Sequence, residues 1–465
     1  MTGDGSQARA YHELSKLWPG DAAPRSVDAA LVPKQYKRYI DLPSIALPPP
    51  SNPDEATGAL TLPGLAALLH YSNGIVRRSR IRGRDIEFRA ASCTGAAYHV
   101  EAYVVCGDLD GLGAGVYHYD VREESLRPLR YGDYRGLLGE STCTAPRQCA
   151  IVLTSTFWRN AWRYQERAYR HMFWDSGTII ANLLALAESR RLNPMLATAF
   201  VDVGVNLLLG VDGHKEASVC VIWLGALSES ASTPDLSPME PKTEPLSRVE
   251  IEYPAIGRTH EASSLADAPA VLRWRQSASS ETSKRASTWS VGDVEAVIKR
   301  RGSARHFEAS QIQFEELTGL IEAAISHVPA DYGVASALYA AVHAVEGLEP
   351  GVYRCEAATG LLAPVNRGET RALMAHAALD QTAAGEAAVC FIWAASFDDV
   401  TGAAGDRSYR AAQLDAATRG GRVYLQATSS GLRATGLTFY DDVLAALLGL
   451  DVDETAVLFL IAVGR

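Results

Sequence analysis

Basic side chains suited to binding a phosphate group cluster in one short stretch of the chain. Three arginines and a serine fall within six residues: Arg300, Arg301, Ser303 and Arg305. Guanidinium groups and a hydroxyl supply the charge-assisted donors that hold a phosphate monoester. No Walker-type glycine pattern accompanies them, which argues against a nucleoside triphosphate as the ligand. On charge alone, the same residues favour a solvated basic turn.

A second stretch has the composition of a loop that approaches a ligand closely. After Arg89, and before a predicted strand, come small polar residues and one glycine: Ser92, Cys93, Thr94 and Gly95. Backbone N–H groups of such a loop can approach a flat ligand without bulky side chains in between. Taken alone, the composition is also that of an ordinary turn.

One pattern occurs twice in the chain at a nearly constant separation. The segment Glu166–Arg170, with Asp175 after it, reads again as Asp406–Arg410 with Asp415. Further matches pair residues 111–117 with 347–353 and residues 208–212 with 447–451. The offsets lie between 236 and 240 residues (347 − 111 = 236, 407 − 167 = 240). A separation this long indicates two homologous domains rather than a solenoid, and such a pair can act as a two-fold dimer within one polypeptide.

The repeat defines a predicted domain organisation. The four predicted segments are an N-terminal extension (1–58), a first domain (59–226), a connector rich in Ser, Thr, Pro and Glu (227–290), and a second domain (291–465). Most of the connector is expected to be exposed, with a possible strand at 249–254 where apolar and polar residues alternate.

Each copy predicts the same order of elements: helix, strand, glycine-turn hairpin, strand, long helix and final strand. The predicted helices before the first strand are 60–71 in one copy and 291–300 with 314–326 in the other. The predicted strands are 100–106, 149–155 and 217–224 in the first copy and 338–345, 387–395 and 456–463 in the second. Helices combined with mostly antiparallel strands predict an α+β fold.

Composition excludes several classes of protein. The 465 residues are 47% hydrophobic and 21% charged, which is enough to build two ordinary cores. A net charge of −10 argues against nucleic acid as a partner. The start of the chain has no signal-peptide core, the apolar runs are too short to cross a bilayer, and seven scattered cysteines predict reduced thiols, so a cytoplasmic location is expected. The eleven histidines show no ligand spacing, and no metal is expected.

These motifs together resemble the nitroreductase superfamily, and within it the SagB-type (ThcOx-like) azoline dehydrogenases. The turn from Arg300 to Arg305 resembles the FMN phosphate site, and Arg89–Tyr98 resembles the Arg-x-Ala-Pro-Ser-x-Gly-Ala-x-Tyr segment of that branch. Tyr11–Lys16 and Trp158–Arg170 match its tandem members as well. The resemblance covers nearly the whole chain, and it implies two fused nitroreductase-like domains that form an intramolecular pseudo-dimer.

The resemblance also implies which residues hold the cofactor. In this family one protomer supplies the phosphate-binding arginines and a loop under the flavin ring, while its partner supplies the Ser-x-Gly segment. Carried over to this chain, the FMN-binding residues are Arg300, Arg301, Ser303, Arg305, Thr435, Gly436 and Arg465 in the second domain and Arg89, Ser92, Cys93, Thr94 and Gly95 in the first.

The two copies have lost different parts of this set. The first domain has residues 194–197 (Pro-Met-Leu-Ala) in place of the ring loop, and no arginine follows its final strand. The second domain has residues 332–336 in place of the Ser-x-Gly segment. We therefore expect one complete FMN site per chain and an inactive mirror-image site.

A candidate catalytic pair precedes the repeated Arg-x-Tyr-Arg motif of the first domain. The family carries Lys-Tyr there, proposed to remove the proton of the substrate, whereas this chain has Arg163-Tyr164 and the second copy has Ala403-Ala404. Arginine stays protonated, so the resemblance implies Tyr164 as the base. Arg163 would lower its pKa or bind an anionic substrate group. Cys93 in place of the family serine would give the flavin a weaker donor.

Residues kept in both copies are predicted to be structural. Arg167, Tyr169, Arg170 and Asp175 have counterparts in the second copy, and charged pairs among them would fix the long helix. The same interpretation applies to Asp202 and Asp442 near the ends of the two repeats.

The implied activity is an FMN-dependent dehydrogenation that converts a thiazoline or oxazoline to the azole. The substrate would be a small, peptide-borne or carrier-bound heterocycle, and the partners would be other proteins of a biosynthetic complex. One alternative is an NAD(P)H-dependent nitro or quinone reductase, which would show no aerobic turnover without added NAD(P)H. The other is a flavin-free scaffold, suggested by Cys93 and Arg163 in place of family residues.

Overall fold

The computed structural model describes residues 3–20, 28–50, 59–81, 83–229, 234–278, 289–333, 336–402 and 404–465. The predictions made for residues 51–58, 230–233, 279–288, 334–335 and Ala403 lie outside these ranges.

The helices and strands of the described residues follow the predicted order in both copies. The helices are α1 (Ser6–Leu14), α2 (Leu62–Asn73), α3 (Arg135–Thr142), α4 (Phe157–Tyr164), α5 (Ala168–Ser189), α6 (Asp202–Leu209), α7 (Pro254–Ala262), α8 (Ala268–Ala278), α9 (Val294–Arg300), α10 (Phe314–Ile325), α11 (Arg371–Ala377), α12 (Thr382–Glu386), α13 (Phe397–Thr401), α14 (Asp406–Ser429) and α15 (Asp441–Leu447). The strands are β1 (Ile45–Ala46), β2 (Ile75–Ile81), β3 (Arg84–Arg89), β4 (Val100–Cys106), β5 (Gly115–Asp120), β6 (Ser125–Tyr131), β7 (Arg147–Thr156), β8 (Met195–Ala197), β9 (Glu216–Leu227), β10 (Ala337–Val342), β11 (Gly351–Cys355), β12 (Leu362–Arg367), β13 (Val389–Ser396), β14 (Arg433–Gly436) and β15 (Thr455–Gly464).

Each copy builds one antiparallel sheet flanked by helices, which confirms the α+β fold. The first sheet has the order β1-β6-β5-β4-β7-β9-β8, and the second has the corresponding order β12-β11-β10-β13-β15-β14. The central strands β7, β13 and β15 are apolar and buried almost throughout because helices cover both faces. The hairpin of β2 and β3 forms a separate two-stranded sheet in the first domain.

The two domains meet through the long helices α5 and α14. A Cβ added to Gly177 would lie 2.6 Å from the Cβ of Ala417, and one added to Gly421 would lie 2.5 Å from that of Ala181. These residues face their own counterparts at the offset of 240 (417 − 177 and 421 − 181). Equivalent positions touch each other only about a two-fold axis, so the predicted intramolecular pseudo-dimer is confirmed.

Buried ion pairs cross this interface in both directions. Arg170 on α5 binds Asp441 of the second domain at 2.5 Å, and Arg407 on α14 binds Asp202 of the first domain at 2.7 Å. The structural role predicted for the repeated arginines agrees with this geometry. The counterpart of Asp202 is Asp441 and not the predicted Asp442, because the local offset is 239 (441 − 202). Asp442 binds Lys16 at 2.9 Å.

The connector contains a second copy of the N-terminal helix. In α1, the carbonyl of His12 and the hydroxyl of the following Ser15 accept hydrogen bonds from Arg170. In α7, the carbonyl of His260 and the hydroxyl of the following Ser263 accept from Arg410 in the same way.

Two predictions for the connector are therefore corrected. The predicted strand at 249–254 is wrong, since no strand forms there and Pro254 begins α7, where its fixed φ suits the first helical turn. The connector is also less exposed than predicted, because Thr259 of α7 and Val271 and Trp274 of α8 are buried.

The first sheet carries an additional strand from the N-terminal extension. β1 pairs antiparallel with the edge strand β6, and Tyr39 is buried against His118 of β5. Within the described ranges no strand covers β12, the equivalent edge in the second domain. No helix in those ranges is long and apolar enough to cross a membrane.

Candidate functional site

The turn after α9 carries two arginines that are free to bind an anion. Arg300 and Arg305 are exposed, and neither pairs with a carboxylate among the residues that the structure describes. Ser303 lies between them and forms a parallel bridge with Ala434 of β14, supported by a 2.9 Å hydrogen bond from the Ala304 N–H to the Ala434 carbonyl. Two exposed cations beside a hydroxyl suit a phosphate monoester, so these residues fit the group that the family uses.

Arg301 lies in a different environment from Arg300 and Arg305. It is buried, and it donates from Nε to the carbonyl of Ala90 at 3.0 Å and from Nη2 to that of Arg89 at 3.2 Å. Both acceptors belong to the first domain. Arg301 therefore joins the two predicted halves of the site.

Tyr424 of α14 holds the turn and the predicted ring loop together. Its hydroxyl accepts a hydrogen bond from the Gly436 N–H at 2.6 Å and lies 3.1 Å from the Ser303 hydroxyl. Thr435 is buried beside this contact, whereas Gly436 is exposed. Tyr424 was not predicted from the sequence, because a single tyrosine within a helix belongs to no recognisable motif.

Arg465 lies on the second domain in a salt bridge. Its guanidinium donates to both carboxylate oxygens of Glu316 on α10, at 3.0 and 2.8 Å, and to the carbonyl of Gln311 at 3.3 Å. The predicted phosphate contact would require this side chain to leave Glu316.

In the first domain, Asp175 of α5 shapes the segment 92–95. Its Oδ1 accepts from the backbone N–H and the hydroxyl of Thr94, at 2.9 and 2.8 Å. The Thr178 hydroxyl donates to the carbonyl of Ser92 at 2.9 Å. Gly95 adopts φ 58°, a left-handed conformation that favours glycine. Helix α5 thus holds the segment 92–95 in place.

Cys93 belongs to a buried polar cluster around the same carboxylate. Its thiol donates to Asp175 at 3.1 Å, and burial raises the pKa of this thiol well above its usual value, so it stays protonated. His99 lies between Asp175 and Ser155, at 2.8 Å from each. The possible ligand atoms of Cys93, His99 and Asp175 lie within 4.8 Å of one another, but each already takes part in a hydrogen bond inside the cluster.

Arg89 was predicted to bind the cofactor, but both of its terminal nitrogens donate to protein atoms. It is buried and donates to the carbonyls of Gln35 and Val100 and to the side chain of Asn73. This geometry fits a residue that positions the end of β3.

The pair Arg163-Tyr164 ends helix α4 beside the loop 92–95. The Tyr164 hydroxyl lies against Gly95, where any Cβ would collide with it, and the Arg163 guanidinium is 5.6 Å from the Tyr164 ring. Burial raises the pKa of Tyr164 above its ordinary value of 10.0, and the nearby Arg163 offsets this only in part. The neutral phenol therefore prevails at neutral pH.

At the mirror-image position, an acidic side chain occupies backbone donors just after β8. Asp331 of the second domain accepts from the N–H groups of Thr198 and Ala199, at 2.8 and 3.0 Å, and from the Thr198 hydroxyl at 2.9 Å. Arg275 of α8 binds the same carboxylate at 3.0 Å. The loop that corresponds to the ring loop thus has its donors occupied. Asp331 was not predicted from the sequence either. The signal that could have found it is an acidic residue directly before the segment 332–336, which replaces the Ser-x-Gly segment.

A cavity of about 1520 Å³ lies on the second domain, and Asp331 and Arg275 are part of its lining. Its lining includes Tyr332, Tyr339, Arg354, Trp393 and Asp415. None of the predicted flavin residues lines it. A much smaller cavity, of about 10 Å³, lies beside Ser92 and Cys93.

Comparison with known proteins places this fold and site in a family. The family model described as the nitroreductase family matches residues 298–465. A nitroreductase-like protein of Methanocaldococcus jannaschii, MJ1384, is 30% identical over 184 residues, which are 37% of this chain and 90% of that protein. The chain therefore belongs to the nitroreductase family, as the resemblance predicted.

Two further relatives extend the comparison. The trifolitoxin-processing protein TfxB of Rhizobium leguminosarum bv. trifolii is 34% identical over 139 residues, which are 28% of this chain and only 37% of TfxB. The crystal structure of a nitroreductase-like protein from Anabaena variabilis superimposes with a TM-score of 0.81 at 26% identity, over 99% of both chains. The tandem arrangement of the two domains is thus shared along the whole length of a solved structure.

Proposed function

We propose that this chain is an FMN-dependent oxidoreductase with one composite flavin site, formed where the turn 300–305 of the second domain meets the segment 89–95 of the first. The observation that carries the proposal is the bond from Arg301 to the carbonyl of Ala90, which brings the two predicted halves together. Beside it, Arg300, Ser303 and Arg305 offer exposed donors for the phosphate of the flavin.

The residues of the chain have distinct parts in this proposal. FMN, when bound, supplies a two-electron acceptor for a hydride. The turn 300–305 holds its phosphate, and Gly436 and the loop 92–95 bring backbone close to the ring without bulky side chains. Tyr164, at Gly95, is the group placed to hold or move a proton of the substrate.

We propose an azoline ring, oxidised to the azole, as the substrate class. The similarity to TfxB, whose name is that of a peptide-processing protein, supports a peptide-borne substrate and a role in natural-product biosynthesis. The resemblance of Arg163-Tyr164 to the family's Lys-Tyr pair supports dehydrogenation. Arg163 is exposed, so it can meet an anionic group of a substrate or of a partner protein.

A reductase that takes its electrons from NAD(P)H is the second candidate. The similarity to proteins described as nitroreductases, from Methanocaldococcus jannaschii and Anabaena variabilis, favours it. The two candidates share the flavin site and differ in the direction of electron flow.

The first test is the visible absorption spectrum of the purified protein, with its flavin identified and counted. We expect one FMN per chain, lost when Arg300 and Ser303 are both replaced by alanine and kept in Arg354→Ala, which removes an exposed arginine of β11 far along the sheet. Two flavins per chain would contradict the composite site. No flavin, even after FMN is added, would leave only a scaffold role.

The second test separates the two reactions. Oxygen consumption with a thiazoline-containing peptide and no NAD(P)H is expected of the dehydrogenase. Turnover of a nitroaromatic or quinone that depends strictly on NAD(P)H would identify the reductase instead.

A further inference from the structure

Arg77 of the first domain lies directly against the turn 300–305 of the second domain. Its guanidinium nitrogens are 3.7 and 3.8 Å from the position that a Cβ on Gly302 would occupy. Arg77 belongs to β2, where it pairs with Phe88 of β3, and its guanidinium stacks on the Phe88 ring at 4.5 Å. The aromatic ring thus supports one face of the guanidinium of Arg77, which is exposed.

The charge of Arg77 is not compensated, in contrast to that of its neighbours on the same strand. Arg78 binds Glu87 at 3.0 Å and Arg80 lies 3.9 Å from Asp85, whereas Arg77 has no carboxylate partner among the described residues. It therefore adds a third exposed cation to Arg300 and Arg305. Like charges gathered without counter-ions repel one another, and a bound dianion relieves this repulsion.

Arg301 keeps Arg77 in place. By binding the carbonyls of Arg89 and Ala90, Arg301 anchors the end of β3, which is the strand that pairs with β2. Arg301 is thus engaged with the backbone of the first domain, and Arg77 stands exposed on the other side of Gly302.

Among the described residues, the two-stranded hairpin that carries Arg77 is found in the first domain and has no counterpart in the second. The segment between α2 and β4 has 26 residues (74–99), while the equivalent segment between α10 and β10 has 11 (326–336). The hairpin is thus one of the features that distinguish the two copies.

We propose that Arg77 is a phosphate ligand of the flavin site, so that the phosphate is held by arginines of both domains. This inference rests on the proposed function, because it assumes that FMN occupies the composite site.

The test compares the affinity of the apoprotein for FMN and for riboflavin, which differ only in the phosphate, by quenching of flavin fluorescence. Arg77→Gln is expected to raise the Kd for FMN about tenfold, as loss of one charge-assisted hydrogen bond does, and to leave the Kd for riboflavin unchanged. Arg77→Lys should restore part of the affinity for FMN. Arg80→Gln, on the same strand, is the matched control and should change neither Kd.

Two results would overturn the inference while the proposed function stands. One is wild-type affinity for FMN in Arg77→Gln, and the other is an equal loss of FMN and riboflavin affinity, which would mark a structural role of the hairpin. A wild-type protein that binds no FMN at all would instead remove the proposed function together with the inference.

Discussion

At the scale of single residues, the arginines of the turn 300–305 divide the work of the proposed site. Arg300 and Arg305 stay exposed beside Ser303, whereas Arg301 is buried and holds the backbone of the other domain. Side chains that are adjacent in sequence are thus exposed in one case and buried in a protein interface in the other.

This division predicts different flavin selectivity for neighbouring substitutions. Arg301→Gln should weaken the binding of both flavins, by roughly tenfold for riboflavin and by more for FMN, because it releases the segment 89–90 and also the strand β3 that supports Arg77. Arg300→Gln should weaken FMN alone. Fluorescence titration with both flavins checks this, and a loss restricted to FMN in Arg301→Gln would show that this side chain contacts the phosphate.

The raised pKa of Tyr164 predicts the pH dependence of the proposed proton transfer. The phenolate is the form that accepts a proton, and burial keeps its pKa above 10.0, so kcat/KM should rise about tenfold per pH unit between about pH 7 and pH 9. Tyr164→Phe should remove the rise and lower the rate by about 10²–10⁴-fold.

The control for this measurement is Tyr131→Phe, at a tyrosine that is 70% exposed. Its profile should match that of the wild type. A Tyr164→Phe variant that keeps the wild-type profile would exclude Tyr164 as the base.

At the scale of elements, α1 and α7 perform the same task on opposite sides of the pseudo-two-fold axis. Each places a histidine and a serine against the second arginine of an Arg-x-Tyr-Arg motif, and that arginine binds an aspartate of the other domain. The long helices can approach this closely because Gly177 and Gly421 leave space at their crossing.

Buried histidines of these two helices make stability depend on pH. Burial and adjacent arginines hold the pKa values of His12 and His260 well below 6.5, so both are neutral in the folded chain. Unfolding lets each take up a proton below about pH 6.5, so stability falls as the pH drops, by up to about 1.4 kcal/mol per pH unit for each histidine.

Urea unfolding between about pH 5 and pH 7 measures this slope. The slope reflects the number of protons taken up on unfolding, and His12→Asn should reduce that number by up to one. His260→Asn should have the same effect. His306→Asn, at a side chain that is 78% exposed, should leave it unchanged. An equal slope in all variants would mean that the two histidines titrate normally in the folded chain.

The interface ion pairs predict a sharp contrast between adjacent aspartates. Asp441→Asn leaves Arg167 and Arg170 buried without a counter-charge, and should cost about 3–5 kcal/mol. Asp442→Asn removes one partner of the buried Lys16, which keeps Glu13 at 2.8 Å as its counter-charge, and should cost only about 1–2 kcal/mol. Thermal unfolding of both variants decides the matter, and similar losses would contradict the assignment of Asp441 as the counterpart of Asp202.

At the scale of the whole molecule, a two-fold arrangement carries an asymmetric site. The ring loop of the second domain ends with the exposed Gly436, while the equivalent loop of the first domain has its N–H groups bonded to Asp331. The large cavity on the second domain lies on the side of Asp331 and away from Ser303.

This asymmetry predicts that Asp331 stabilises the fold and does not affect flavin binding. Asp331→Ala leaves the N–H groups of Thr198 and Ala199 and the charge of Arg275 without this acceptor, so it should lower stability by about 1–3 kcal/mol. The count should stay at one FMN per chain, with an unchanged Kd. Unfolding curves and flavin titration test both statements, and a second bound flavin would show that the carboxylate alone blocks the mirror-image position.

Much of the fold could be predicted from local patterns in the chain. β4 was predicted with its observed bounds, and α2, α10 and β15 to within two residues, because apolar periodicity is set by the burial of each element. The helix α7 was missed because residues 254–262 lie in a polar, proline-rich part of the chain. Two of the four side chains that it buries, Thr259 and His260, are polar, so no apolar periodicity marks the helix.

The sequence by itself determined the duplication, the family and the asymmetry of the two copies, because each of these is a comparison of residue types along the chain. The tertiary structure decided which arginines of the turn stay exposed and that Asp441 and not Asp442 crosses the interface. It also placed Tyr424 and Arg77 beside the turn 300–305 and Asp331 at the mirror-image position. The physical reason is distance along the chain. Gly302 and Arg77 are separated by 225 residues (302 − 77) and touch only because two domains fold and pack against each other.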